Sequence, residues 1–243
     1  MKGDHQVILF IIFCLAGFFL GINLSADFEL TGLGDFVVSF TTLLAAFSGA
    51  WYAFHLQNKR DLQAEEIRRV EAANRAIFTL ARKLGKVRNI SKQFVSPFRA
   101  DPLYFLAIPP IAGISNSSTT INYDEISFLF NSDDPNLMAE LSNAEEAYNA
   151  MLDGFALRSE MHFKQLQPLA EKAGFEDYVE YSDEQIRTAI GVRLYNGMKS
   201  QTDALIESLD SLEESLLELS SRLTETAKSQ FKGHTIIGVA KDT

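Results

Sequence analysis

Cysteines, clustered histidines and catalytic signatures are all missing from this chain, and each absence excludes a class of protein. The chain of 243 residues has one cysteine, Cys14, which rules out an intrachain disulfide, a cysteine-based zinc cluster and a redox pair. Its four histidines are widely separated, and none has a neighbour at metal-ligand spacing. No catalytic or nucleotide-binding motif occurs. We therefore expect a protein that is not an enzyme and that holds no metal and no cofactor.

Charged side chains are missing from two long stretches, residues 7–22 and 36–56. Extended to residue 24, the first is ~27 Å long as a helix, and the second is ~31 Å long, close to the thickness of a hydrocarbon core. The sequence predicts a transmembrane hairpin over residues 1–56, with spans at about 7–24 and 36–56 and a short outer loop at 25–35. A cleavable signal peptide is the alternative for the first stretch, but its best cleavage site lacks a small residue three positions before the cleaved bond.

Basic residues are absent from the predicted loop and concentrated after the second stretch. The loop, 25–35, has three acids, whereas residues 57–99 hold 11 of the 22 Lys and Arg side chains against 4 acids. Basic residues near membrane spans remain on the cytoplasmic side. The sequence therefore predicts a multi-pass protein of the bacterial inner membrane with its N- and C-termini in the cytoplasm.

Small residues recur every four positions in both predicted spans. Gly17 and Gly21 form a GxxxG pattern in the first, and Ala45, Gly49 and Ala53 repeat the spacing in the second. Small side chains let helices approach closely in a membrane. The pattern predicts membrane helix packing, either between the two spans of one hairpin or between copies in a homo-oligomer, where the spans could surround a pore.

Aromatic and basic side chains mark the end of the second predicted span. Trp51 and Tyr52 lie near that end, where amphipathic rings suit the level of the lipid headgroups. Lys59 and Arg60 follow within reach of the same layer. We therefore expect these four side chains to contact headgroups, with the lipid bilayer itself as a partner.

Proline does not occur before Pro97, so the second span is expected to continue as a basic juxtamembrane helix over 57–96. Its apolar seam alternates steps of three and four residues: Val70, Ala73, Ile77, Leu80, Leu84, Val87 and Phe94. Arg68, Arg75 and Arg82 recur every seven residues on the other side.

This basic stripe, Arg68, Arg75 and Arg82, has two interpretations. Residues 100–243 carry 24 acids and 10 bases, so the stripe can face acids within the chain, namely Glu145, Glu207, Glu214 and Glu218. Alternatively it binds a partner or ligand. Direct binding of nucleic acid is disfavoured, because the stripe has no interleaved aromatics and the net charge is −10.

Four of the six prolines lie in residues 97–134, which predicts a Pro-rich irregular connector. The connector also carries apolar runs at 103–108 and 126–130. Either these side chains cap the end of a helical bundle, or they form a docking surface or a mobile latch.

Residues 135–230 predict two long helices that complete the bundle, followed by a tail at 231–243. The first should begin at Asp134 and Pro135, as N-cap and first helical residue, and stop at Gly174. The second should be capped by Ser182 or Asp183 and run to about residue 228. Its leucine seam covers nearly three heptads: Leu205, Leu209, Leu212, Leu216, Leu219 and Leu223. The fold class is all-α, a two-helix transmembrane hairpin followed by an elongated, antiparallel, coiled-coil-like cytosolic bundle.

In architecture the chain resembles the two-span membrane effectors of bacterial anti-phage systems, including those paired with retron reverse transcriptases. The likeness covers the hairpin at 7–56, the short outer loop and the basic helix that follows. It implies antiviral defence, with a partner reverse transcriptase and its nucleic acid. The expected function is that of a membrane protein whose helical module senses or binds a cytosolic protein partner and acts through the spans. The alternatives are a membrane-disrupting toxin released by a cytosolic trigger and a membrane scaffold that anchors a cytosolic complex.

Overall fold

The described part of the chain is entirely helical in its regular structure. The computed structural model describes residues 17, 31–111, 113, 120–175 and 181–239, and within these ranges no strand occurs. The prediction of an all-α protein is confirmed.

Six α-helices, numbered here from Thr31, make up most of this structure. They are α1 (Thr31–Ile90), α2 (Tyr104–Ala107), α3 (Leu137–Met161), α4 (Gln167–Lys172), α5 (Asp183–Ile190) and α6 (Val192–Gln230). Single turns of π-helix follow α1 at Ser91–Val95 and α3 at His162–Leu166, and 3₁₀ turns occur at Ser96–Phe98 and Ser127–Asn131. The chain divides into two compact units, Met1–Glu66 and Ile67–Thr243.

The predicted membrane location is wrong. Among the helices of the described residues, none combines the length and the apolar character that crossing a bilayer requires. Four hydroxyl side chains interrupt the stretch at 38–56, and Trp51, Tyr52 and His55 lower its hydropathy further. The multi-pass inner-membrane assignment, with both termini in the cytoplasm, is therefore corrected, and the transmembrane hairpin has no support.

The first predicted span, 7–24, lies outside the described residues except for Gly17, which is helical. Residues 25–30 of the predicted loop also lie outside them. Residues 31–35, which were expected in that loop, instead form the start of α1. The two glycines of this stretch do not form a turn, because the helix passes through Gly32 and Gly34 without a break.

In the second unit, three helices pack along one another. Arg158 of α3 meets Thr202 of α6, whereas Arg222 meets Asp134 just before α3, so α3 and α6 run antiparallel. Arg88 of α1 pairs with Glu213, while Ala73 shares a cluster with Ala227, so α1 and α6 are antiparallel too. It follows that α1 and α3 run parallel. The long connector between them makes this possible, because it returns the chain to the end at which α1 entered the unit.

Each predicted seam of the bundle is buried. All six leucines of the α6 seam are at most 7% exposed, and the α1 seam from Val70 to Val87 is at most 8% exposed. The α3 side chains that meet them are equally buried: Leu137, Leu141, Ala144, Tyr148, Met151 and Phe155. Each leucine buried in this way contributes roughly 1.5–3 kcal/mol, so the three seams supply most of the stabilisation of the bundle.

The helix ends follow local sequence in two places and depart from it in two. Ser182 forms a capping box with Gln185, and Gly174 ends the α4 segment with a φ of +73°. By contrast, Gly191 adopts a φ of +82° and divides the predicted last helix into α5 and α6. Asp134 does not cap α3, because its carboxylate accepts hydrogen bonds from Arg222 instead.

The connector contributes its apolar side chains to the core. Ile108, Ile126 and Leu129 are at most 1% exposed and belong to the same cluster as the three long helices. Phe105 is fully buried in a second cluster with Tyr195 and with residues of α5. The connector therefore lies along the bundle rather than only at one end of it.

Candidate partner-binding groove

A cavity of about 390 Å³ lies between α1 and the connector residues 120–126. Its aliphatic lining comes from two alanines of α1 and from Ile121 and Ile126. Its polar lining consists of Arg75, Thr79, Arg82, Thr120, Asn122 and Glu125. We call this the α1 groove. It offers both apolar surface and positive charge to an occupant.

The outer edge of the α1 groove is formed by one aromatic ring between two arginines. Phe78 is 58% exposed, although a phenylalanine on a bundle helix is normally buried. Arg75 and Arg82 precede and follow it by three and four residues, which places all three side chains on one side of α1. Nη2 of Arg75 donates to Glu125 at 2.5 Å, so one arginine is paired across the groove.

A buried ion pair supports the groove from below. Nζ of Lys83 lies 2.8 Å from Oε1 of Glu145, and the two side chains are 2% and 10% exposed. The ammonium also lies 4.5 Å from the centre of the Tyr148 ring, a cation–π arrangement. Removing water from such a pair is costly, and the contact is an ion pair without hydrogen-bond geometry at the ammonium.

Glu145 also fixes the connector at the groove. Its carboxylate accepts a hydrogen bond from the Tyr123 hydroxyl at 2.9 Å and another from the Ile121 amide at 3.3 Å. Burial, followed by these contacts with Glu145, raises the pKa of the Tyr123 hydroxyl above its usual range. One carboxylate therefore joins α1, α3 and the connector beneath the cavity.

Arg158 holds the first half of the connector in a similar way. Its side chain is fully buried, and its guanidinium donates to the carbonyls of Phe105 at 2.9 Å and Ile108 at 2.7 Å. Nε donates to Oγ1 of Thr202 at 3.0 Å. Burial lowers the pKa of Arg158 to about 10. Carbonyl oxygens thus take the place of a carboxylate as partners of this cation.

A second cavity, of about 330 Å³, lies between α3 and α6. It is lined mainly by small side chains, including three serines, with Glu140, Glu218 and Arg222 at one end. Arg222 pairs with Asp134 at 2.7 Å and also with Glu140 and Glu218. The acids at this end of the cavity are therefore neutralised within the chain.

The basic stripe predicted from the sequence is only partly internal. Arg75 pairs with Glu125 and, at 3.8 Å, with Glu71, neither of which was an expected partner. Of the expected acids, Glu145 pairs with Lys83 and Glu218 with Arg222. Arg68 and Arg82 are exposed on α1.

The other predicted site residues lie in the first unit or outside the described residues. Ala45, Gly49 and Ala53 are exposed, and within the described part of the chain no neighbouring atom comes within 4 Å of a Cβ built at Gly49 or Gly17. Gly21 lies outside that part. Trp51, Tyr52, Lys59 and Arg60 are exposed on α1, where the Trp51 ring stacks on His55. Headgroup contact at these four residues stays a prediction.

Lys83, Arg158 and Phe78 are functional candidates that the sequence analysis did not name, and Glu145 was expected only as an acid facing the basic stripe. Charged residues on a helix usually face solvent, and only the position of Lys83 beside the seam residue Leu84 could have signalled its burial. Arg158 lies three residues after Phe155 on the buried face of α3, which is a comparable signal. Phe78 follows the seam residue Ile77, and its exposure has no sequence signature.

The described residues contain no group of three or more His, Cys, Asp or Glu side chains placed to hold a metal ion. The groups at the α1 groove are suited to binding an anionic and apolar ligand through ion pairs and ring contacts.

Comparison with known proteins identifies no relative of this chain. No protein-family model, no curated protein and no solved structure matches this chain.

Proposed function

We propose that this protein is a non-enzymatic helical module that binds a partner protein in the α1 groove. The observation that carries the proposal is the exposed ring of Phe78 between Arg75 and Arg82, beside a cavity lined by aliphatic side chains. Exposed aromatic residues and arginines are the side chains most enriched at the energetic centres of protein interfaces.

The chemistry of the groove favours an acidic protein segment that also carries an apolar side chain. An aspartate or glutamate would pair with Arg82, while an aliphatic side chain would enter between Ala76 and Ile126. A nucleic acid is less suited, because Glu125 lies in the groove and the chain as a whole is acidic.

Of the functions expected from the sequence, partner binding alone requires no membrane span. The toxin alternative, and with it the resemblance to retron-associated effectors, depends on a hairpin that has no support among the described residues. We therefore propose the binding function alone.

Site-specific photo-cross-linking tests this proposal. A benzophenone amino acid is placed at Phe78 in the full chain, and the chain is irradiated in cells that express it. We expect a covalent adduct that protease destroys and nuclease does not. The matched control carries the same cross-linker at Phe163, which is 50% exposed on the π turn after α3.

The charge of the groove is tested in the same experiment. Arg82→Glu in the Phe78 cross-linker background should remove most of the adduct, whereas Arg193→Glu, at an exposed position of α6, should not. Circular dichroism confirms that both variants fold. The proposal is wrong if the adduct is equally abundant at Phe163, or if it persists unchanged in Arg82→Glu.

A further inference from the structure

The chain that follows α6 turns back and lies along α1. Phe231 ends the helix and packs edge-on against Phe128, with ring centres 5.2 Å apart. Gly233 then adopts a φ of +95°, a conformation that other residues rarely take, and reverses the chain direction. Residues 234–239, here called the tail segment, return without regular secondary structure past Asn74.

Asn74 binds the main chain of the tail segment at two points. Its Nδ2 donates to the carbonyl oxygen of Thr235 at 3.0 Å, and its Oδ1 accepts from the amide of Ile237 at 2.9 Å. In an extended chain, the carbonyl of one residue and the amide two residues later point to the same side. One amide side chain therefore satisfies both groups through hydrogen bonds to the main chain of the tail.

Two aliphatic residues of the tail segment give it a second means of attachment. Ile236 packs against the main core and against the small cluster that contains Val70 and Ala73, and Val239 packs against the main core. Thr235 and Ile237, which flank Ile236, are exposed. Val239 follows Ile236 by three positions, with Ile237 and Gly238 exposed between them. The segment is therefore bound by main-chain hydrogen bonds to Asn74 and by two inserted aliphatic side chains, which are the elements of extended-peptide recognition.

We propose that the surface around Asn74 is a binding site for an extended peptide, and that its occupant in an assembled form of the protein is the tail segment of a second copy. The site is distinct from the α1 groove and does not depend on the function proposed there. The tail of another copy offers the same carbonyl, amide and aliphatic groups, so every contact described above can form between chains.

Two features of the tail segment make exchange between copies feasible. The connection to α6 is a short turn built around Gly233, and opening this turn is sufficient to redirect the segment. The contacts that hold it are two hydrogen bonds and two aliphatic side chains, which makes release far easier than unfolding of the bundle. Exchange competes with the tethered tail, whose effective concentration on a short connection is on the order of millimolar, so the exchanged fraction rises with protein concentration.

A labelled peptide with the sequence of residues 232–243 measures the site directly. The receptor is the full chain carrying Ile236→Asp and Val239→Asp, changes that release its own tail from the core. Fluorescence anisotropy should detect binding to this receptor and at least tenfold weaker binding to the wild-type chain, whose site is occupied. Adding Asn74→Ala to the receptor should weaken binding by about tenfold, since two hydrogen bonds are lost. Asn196→Ala, at an exposed position of α6, is the matched control and should have no effect.

The second measurement identifies exchange between copies. A photo-cross-linker at Ile237 of the wild-type chain should yield covalent dimers whose fraction rises with protein concentration and falls in Asn74→Ala. Mixed tagged and untagged chains should give the corresponding mixed dimer. The proposal is overturned if the peptide does not bind the receptor whose own tail is released, or if Asn74→Ala leaves the peptide affinity unchanged. It is also overturned if cross-links form only within single chains at all protein concentrations.

Discussion

Residues 38–56 and 67–90 belong to the same helix, α1, yet they place their apolar side chains in opposite ways. In the first stretch, Val38, Leu43 and Phe47 are each more than 60% exposed. In the second, Ala73, Ile77 and Val87 are completely buried. The first stretch is the more apolar of the two, so hydrophobic content alone does not determine burial.

Periodicity explains the difference between the two stretches. Apolar residues in 67–90 recur every three or four positions, which gives the helix one apolar side and one basic side. Apolar residues in 38–56 occur on every side of the helix, so the sequence defines no single face for packing. The prediction of a membrane span rested on the length of the stretch and its lack of charge, and neither depends on which side of the helix a residue occupies.

The largest expected effect contrasts Ile77→Asp with Phe47→Asp. At Ile77 the carboxylate would enter the core of the bundle, and we expect a loss of about 4 kcal/mol or more in the free energy of unfolding. At Phe47 the side chain is exposed, so the change should stay within about 0.5 kcal/mol. Urea unfolding of the full chain, followed by circular dichroism, measures both. Equal losses at the two positions would mean that residues 38–56 are packed as tightly as the bundle.

A smaller effect is expected when Lys83 and Lys59 are compared. Lys83→Met leaves the Glu145 carboxylate buried without its cation, which should cost about 3–5 kcal/mol. The double change Lys83→Met with Glu145→Met should recover much of that loss, because both charges are then removed. Lys59→Met, at an exposed position of α1, should be neutral within about 0.5 kcal/mol. Additive losses in the double variant would show that the two side chains do not interact.

The smallest effect concerns pH and contrasts His162 with His55. Burial, followed by the nearby charge of Arg158, lowers the pKa of His162 below its usual value of 6.5. The unfolded chain therefore binds more protons than the folded chain just below pH 6.5, and stability falls as the pH decreases through that range. His162→Gln should reduce this loss in melting temperature between pH 7.5 and pH 5, while His55→Gln should leave it unchanged. If the melting temperature falls equally between pH 7.5 and pH 5 in the wild type and in both variants, His162 is excluded as the source of the pH dependence.

Local sequence predicted those parts of the fold that depend on local interactions. The leucine seam of α6, the cap at Ser182 and the stop at Gly174 follow from spacing and side-chain type, and the structure contains all three. The break between α5 and α6 at Gly191 could not be predicted, because a single glycine inside a helical pattern is often tolerated and its positive φ is not visible in the sequence.

The contacts that build the two binding sites could not be predicted in this way. Asn74 meets the tail segment across more than 160 residues, and Arg158 meets the connector across about 50. Nothing in the neighbouring sequence of either residue indicates its partner. Arg75 of the basic stripe pairs with Glu125 and Glu71 rather than with the acids expected for it, since matching charges specifies only that acids and bases pair and not which ones.

The parallel arrangement of α1 and α3 has a consequence for the newly made chain. The leucines that cover α1 are encoded about 140 residues after the side chains they contact, such as Leu80 and Leu223 at the two ends of this interval. At a synthesis rate of ~5–20 residues per second, roughly 7–30 s pass between the synthesis of the α1 seam and the synthesis of the α6 leucines. During that time Ile77, Leu80 and Leu84 lack the part of their covering surface that α6 provides. This interval is the one in which we expect the nascent chain to depend on chaperones.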